Sequence, residues 1–236
     1  MESKMVKSSL PSITVNKLGE YVVSRGNRQR EILKDRKFPQ DFKGMYHKEA
    51  AEAVSLCLAS GLEDLSVLTR VRRALEQRTS EKVGTQRRIN SNIDAIEAFD
   101  SLLDSIDFFG GSPELGPHSA PKMVRHSVQI SVRPEIVLRG AAPRTKKPVI
   151  GALKVHFSRT RPLNEESAGY VSAIVQEWCR EHLATTEEVY APYCFVIDLG
   201  SHRVYPGMRS IVQRMKDVEA ECRNIPALWE SITEDE

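Results

Sequence analysis

Two side chains in the second half of the chain have the types and spacing to act on a phosphate. Glu135 follows Pro134 at the end of one strand-like stretch, and Lys154 lies on the next, within Gly151-Ala152-Leu153-Lys154. If the two strands pair, the carboxylate and the ammonium meet at one end of a sheet. A carboxylate that holds a divalent ion, beside a lysine that orients water or stabilises an oxyanion, is half of a metal-dependent phosphodiesterase site. Period-two alternation puts Ala152, Lys154 and His156 on one face of the strand and Leu153, Val155 and Phe157 on the other. The apolar face is expected to enter the core. The Lys154 face is expected to stay open for chemistry, with His156 as a further ligand or proton acceptor.

The elements that must carry these residues change character midway. Residues 12–109 read as a helical unit. Val15, Leu18, Tyr21, Val22, Ile32 and Leu33 recur at helical spacing until Phe38-Pro39. Further helices are expected at 47–59, with Gly61 as its stop, at 62–77 and at 85–106. Residues 110–121, from Gly110-Gly111-Ser112-Pro113 to Pro121, read as a linker. The remainder, 122–236, reads as strand, strand, helix, strand, helix. Strands are expected over 128–138 and 149–158, a helix over 164–184, a buried strand over 193–199, a paired strand over 203–205 and a last helix over 207–222. Trp229 is expected to anchor the tail. The fold class is α+β: a helical N-terminal unit followed by a mixed sheet flanked by helices.

This succession resembles the core of the PD-(D/E)XK, or restriction-endonuclease-like, nuclease superfamily over residues 128–199. Pro134-Glu135 matches its acid-bearing strand and Lys154 the lysine of (D/E)-x-K. Ala152 stands where that motif carries a second carboxylate. The resemblance implies nucleic acid as substrate or ligand, magnesium as the cofactor of an active member, and a role in prokaryotic or phage DNA metabolism or defence. Magnesium takes oxygen ligands in near-octahedral geometry, so one carboxylate holds it weakly. Members of the superfamily can move the absent acid to a neighbouring element. On that reading Glu165, Glu166 and Glu177 are the substitutes here, and Glu177, in mid-helix, is the best placed. Glu135 and Glu177 would then ligate the metal, and Lys154 would stabilise charge on the attacked phosphate. The other outcome is a degenerate relative that binds without cutting.

Basic residues cluster in three places. Arg25, Arg28 and Arg30, with Lys34, Arg36 and Lys37, crowd the first helix and its exit. Arg87 and Arg88 open the fourth helix, and Arg144, Lys146 and Lys147 sit between the two site strands, where the resemblance places them beside the site. Such clusters can contact successive phosphates or be solvated faces. A non-catalytic alternative has the helical unit docking a protein partner in a multi-component system. A net charge of +2 over 236 residues supplies no global field for nucleic acid, so any binding must be local. Four cysteines without CxxC spacing and no signal-peptide pattern imply a reduced, cytoplasmic chain. No apolar run reaches the roughly 20 residues that span a bilayer, so no membrane partner is expected. Phosphate-loop, serine-hydrolase and zinc-protease motifs are absent, which disfavours those chemistries.

Overall fold

The computed structural model describes residues 10–39 and 46–234. In chain order the first elements are β1 (Ser12–Thr14), α1 (Val15–Val23), α2 (Asn27–Lys37), α3 (Lys48–Ala59), α4 (Ser66–Glu76) and α5 (Val83–Asp100). Then follow β2 (Ser112–Leu115), β3 (Met123–Arg125), β4 (Val128–Ser131), β5 (Ile136–Ala141) and β6 (Pro148–His156). The chain continues with α6 (Glu165–His182), β7 (Glu188–Val189), β8 (Val196–Asp198), β9 (Arg203–Tyr205) and α7 (Val212–Ser231).

The main sheet is built around β6, in the order β2-β5-β6-β8-β9. β5 runs antiparallel to β6, and β8 returns parallel to it after the crossover through α6. β7 pairs parallel with the start of β6, at Val149 and Ile150. A smaller sheet has the order β1-β4-β3. The expected strand over 128–138 is therefore two strands in two sheets. They part where Arg133 takes a φ of 42° just before Pro134, which lacks the N–H a continuing ladder needs.

Helix α6 starts where the sequence places it. The Asn164 side chain accepts from the Ser167 N–H at 2.8 Å, and Ser167 Oγ accepts from the Asn164 N–H at 2.9 Å. Glu165 and Glu166 in the first turn and Arg180 and His182 in the last complement the helix dipole.

Both faces of β6 are covered. Ala152 belongs to a buried cluster with Leu18 of α1 and Val171 and Val175 of α6, while Leu153 and Val155 pack with Val54, Leu58, Ile96 and Phe99 of the α3–α5 bundle. The expectation of an open Lys154 face is corrected here: α1 and α6 lie over it. Their close approach depends on Gly19, where a Cβ would stand 2.6 Å from Val171 Cγ2 and 2.7 Å from the Ser167 carbonyl oxygen.

The division of the chain also differs from the one predicted. The N-terminal helical run is broken at Gly26, with φ 50°, into α1 and α2. β1 adds to the small sheet, and α1 and α2 pack with α6 and α7, so only α3–α5 form a separate helical layer. Residues 110–121 contain β2, which pairs with β5 as the edge of the main sheet. Trp229 is buried as expected, and the buried Lys37 ammonium donates to the carbonyls of Trp229 (2.5 Å) and Ile232 (2.9 Å) at the end of α7.

Candidate functional site

The β5–β6 register pairs Ile136 with Leu153, so the next step along both strands sets Glu135 beside Lys154. The Glu135 N–H donates to the Leu153 carbonyl at 3.2 Å, continuing the ladder. Lys154 Nζ donates to Glu135 Oε1 at 2.6 Å and to the Arg133 carbonyl at 2.8 Å. The Val155 N–H donates to Glu135 Oε2 at 2.7 Å. Both carboxylate oxygens thus have protein donors, and the two side chains are only 12% and 13% exposed. This is a charge-assisted clamp with fixed geometry.

The clamp forms part of the wall of an open cleft of about 500 Å³, between the start of α1, the start of α3 and the end of β6. Asn16 Nδ2 donates to the Val155 carbonyl at 3.1 Å and ties α1 to the strand, while Asn16 Oδ1 is buried with no partner. Lys17 and Lys48 add two ammonium groups, paired with Glu20 at 2.7 Å and with Glu52 at 3.8 Å. Neither α1 nor α3 has a side-chain N-cap bond, so both helix starts bring partial positive charge to the cleft. On the Arg133 side of the clamp, Arg36 has a buried Nε without a partner. Its guanidinium is held below the ordinary value, first by burial and then by the charge of Arg133.

Two histidines lie in the cleft wall. His156 is 5% exposed, and its Nε2 is 2.8 Å from the Arg161 carbonyl. Burial pushes its pKa down, so near neutral pH it is an uncharged ring fixed to the β6–α6 loop. It is not turned towards Glu135 as a ligand or proton acceptor, which corrects the expectation for this residue. His47 was not anticipated: it stacks on Phe157 with ring centroids 5.8 Å apart, and burial lowers its pKa as well.

The structure does not bring Glu177 to the clamp. Helix α6 runs back along β6, so Glu177 sits about 18 Å along its axis from Glu165, towards the start of the strand rather than Lys154. There it pairs with Arg180 and lies 4.0 Å from Arg125, beside a groove against α7. Mid-helix placement favoured it on the sequence; the direction of the helix rules it out. Asp198, paired in register with His156, is fully buried and accepts from the N–H groups of Leu163 (2.9 Å), Ser201 (3.1 Å) and Gly200 (3.3 Å), which makes it a loop brace.

These donors do not fit magnesium. Glu135 is the one carboxylate of the clamp and already accepts from Lys154 and Val155, and Ala152, where a second acid would stand, is fully buried under α1 and α6. Among the described residues no group of three or more His, Cys, Asp or Glu side chains could hold a metal ion.

The predicted basic residues are dispersed. The loop with Arg144, Lys146 and Lys147 joins the opposite ends of β5 and β6, about 20 Å along the strand from Lys154, and Lys147 pairs there with Glu188 at 2.7 Å. Arg28 is clamped by Glu20 and Glu31. Arg30 reaches Ser231 Oγ at 3.4 Å, and Arg25 is exposed in the α1–α2 connection. Arg87 and Arg88 lie on α5 and do not line the cleft. Lys17 and Lys48, the cations that line the cleft with Lys154, carry no local pattern that would single them out, because they come from two separate helices.

Fold and site together define an α+β protein with a cleft at one end of a mixed sheet, lined by Lys17, Lys48 and Lys154 with Glu52 and Glu135. No protein-family model matches this chain, and no curated protein matches it. No helix of the described residues is long and apolar enough to cross a membrane.

Proposed function

We propose that this chain is a nucleic-acid-binding protein with a restriction-endonuclease-like core that binds phosphodiester backbone without cutting it. The carrying observation is the Glu135–Lys154 clamp: both oxygens of the carboxylate accept from Lys154 and Val155, so the pair is built as a fixed charge element. The succession of β5 preceded by Glu135, β6 with Lys154, α6 and the parallel β8 supports the core resemblance. Lys17 and Lys48, which line the cleft beside the clamp, support an anionic ligand.

Fluorescence anisotropy with labelled DNA and RNA across a salt series tests this. Binding should weaken steeply with salt, the Lys17→Gln/Lys48→Gln double variant should flatten that dependence, and added magnesium should leave the labelled strand intact. Failure to bind any oligonucleotide would sink the nucleic-acid reading. Magnesium-dependent strand cleavage that is lost in Lys154→Ala would overturn the non-cleaving one.

A further inference from the structure

The cleft wall that faces the cations is aromatic. Tyr46, His47 and Phe157 all line it, from the start of α3 and the end of β6. Tyr46 meets His47 edge-on, with centroids 5.3 Å apart and planes at 74°. His47 lies nearly parallel to Phe157 at 25°. Its Nδ1 is buried and has no hydrogen-bond partner, although the ring is held by Phe157. Lys17, Lys48 and Lys154 stand around the same space.

Cations for a backbone beside aromatic faces for bases are the combination that retains single strands. A double helix keeps its base faces inside the stack and offers a cleft only phosphates, unless a base is flipped out at a cost. A space of about 500 Å³ falls within the range that encloses one small ligand, and so suits one unstacked nucleotide rather than the body of a duplex. Resting on the nucleic-acid reading above, we infer that the cleft holds single-stranded nucleic acid. One base lies against the Tyr46–His47–Phe157 wall, and its flanking phosphates lie at Lys17, Lys48 and Lys154.

Competition anisotropy separates this from the broader proposal. The full-length protein is titrated with one labelled single strand against three unlabelled competitors: the same strand, its duplex, and an abasic strand of equal length. The intact single strand should compete at least tenfold better than either of the others. Tyr46→Leu should lower its affinity about tenfold, within the 1–3 kcal/mol typical of one base–aromatic stack, while leaving the abasic strand unaffected. Phe157→Leu, which keeps an apolar side chain against the bundle, should do the same, with circular dichroism confirming its fold. Equal competition by the duplex or by the abasic strand overturns the inference and leaves backbone binding standing. Binding of none of the strands removes both. The competitor comparison needs no variant, so it decides the matter even where a substitution unfolds the chain.

Discussion

Lys154 and Glu135 are joined at 2.6 Å across neighbouring strands, and the other oxygen of Glu135 is held by the N–H of Val155, the residue after Lys154. The lysine and its strand therefore fix the carboxylate from two directions. Removing the ammonium leaves a largely buried carboxylate with one backbone donor. Lys154→Ala should cost about 2 kcal/mol of stability, since an uncompensated buried charge is expensive. Urea denaturation measures it. The double variant Lys154→Met/Glu135→Leu should lose less than the sum of its single changes, and strict additivity would mean the clamp carries no coupling.

Glu135→Gln distinguishes a clamp from a metal ligand. The amide oxygen can still accept from Val155, while one negative charge leaves the cleft wall. Oligonucleotide affinity at low salt should rise by roughly threefold, because an anionic ligand no longer faces that carboxylate. A ligand role predicts the opposite, a loss that depends on magnesium. Anisotropy with and without magnesium reads the sign directly.

What the sequence made legible was local. The alternation of β6, the start of α6 after Asn164 and the meeting of Glu135 with Lys154 all follow from short-range periodicity and strand pairing. What covers the Lys154 face did not, because α1 arrives from the other end of the chain: Asn16 bonds to Val155 across 139 residues. Helical spacing placed Glu177 in mid-helix without saying which end of β6 it would reach. The resemblance placed the basic hairpin at Arg144 beside the site, yet a hairpin joins only one end of two strands, and this one joins the end away from Lys154. Arg36 and Arg133 are brought together by α2 packing with the sheet domain, which no spacing encodes.

Gly19 sets how closely α1 approaches α6, and through Asn16 and Lys17 it sets the cleft. In Gly19→Ala the new methyl would meet the Ser167 carbonyl, part of helix backbone that cannot move aside cheaply. Overpacking of this kind costs about 1–3 kcal/mol, partly offset by the higher helix propensity of alanine. The variant should unfold at lower urea concentration, and the protein that remains folded should bind oligonucleotide more weakly. Unchanged stability would mean that α1 can shift without strain.

The two cleft histidines make stability depend on pH between about 5.5 and 7.5. His47 faces the Ser91 backbone, Asp94 and His156, and His156 faces Asp198, Lys17, Glu20 and the Arg161 carbonyl. For both, burial outweighs these partners and holds the folded-state pKa below the ordinary 6.5. Below that ordinary value the unfolded chain binds protons that the folded chain refuses, so stability is full above it and falls as the pH falls through it. The urea midpoint should therefore be lower at pH 5.5 than at pH 7.5. In His156→Gln, where one of the two groups can no longer titrate, the absolute stability should drop but its dependence on pH over this window should shrink. A midpoint that is flat or rises towards pH 5.5 in the parent protein would mean that Asp94, Asp198 and Glu20 stabilise the protonated rings more than burial opposes them.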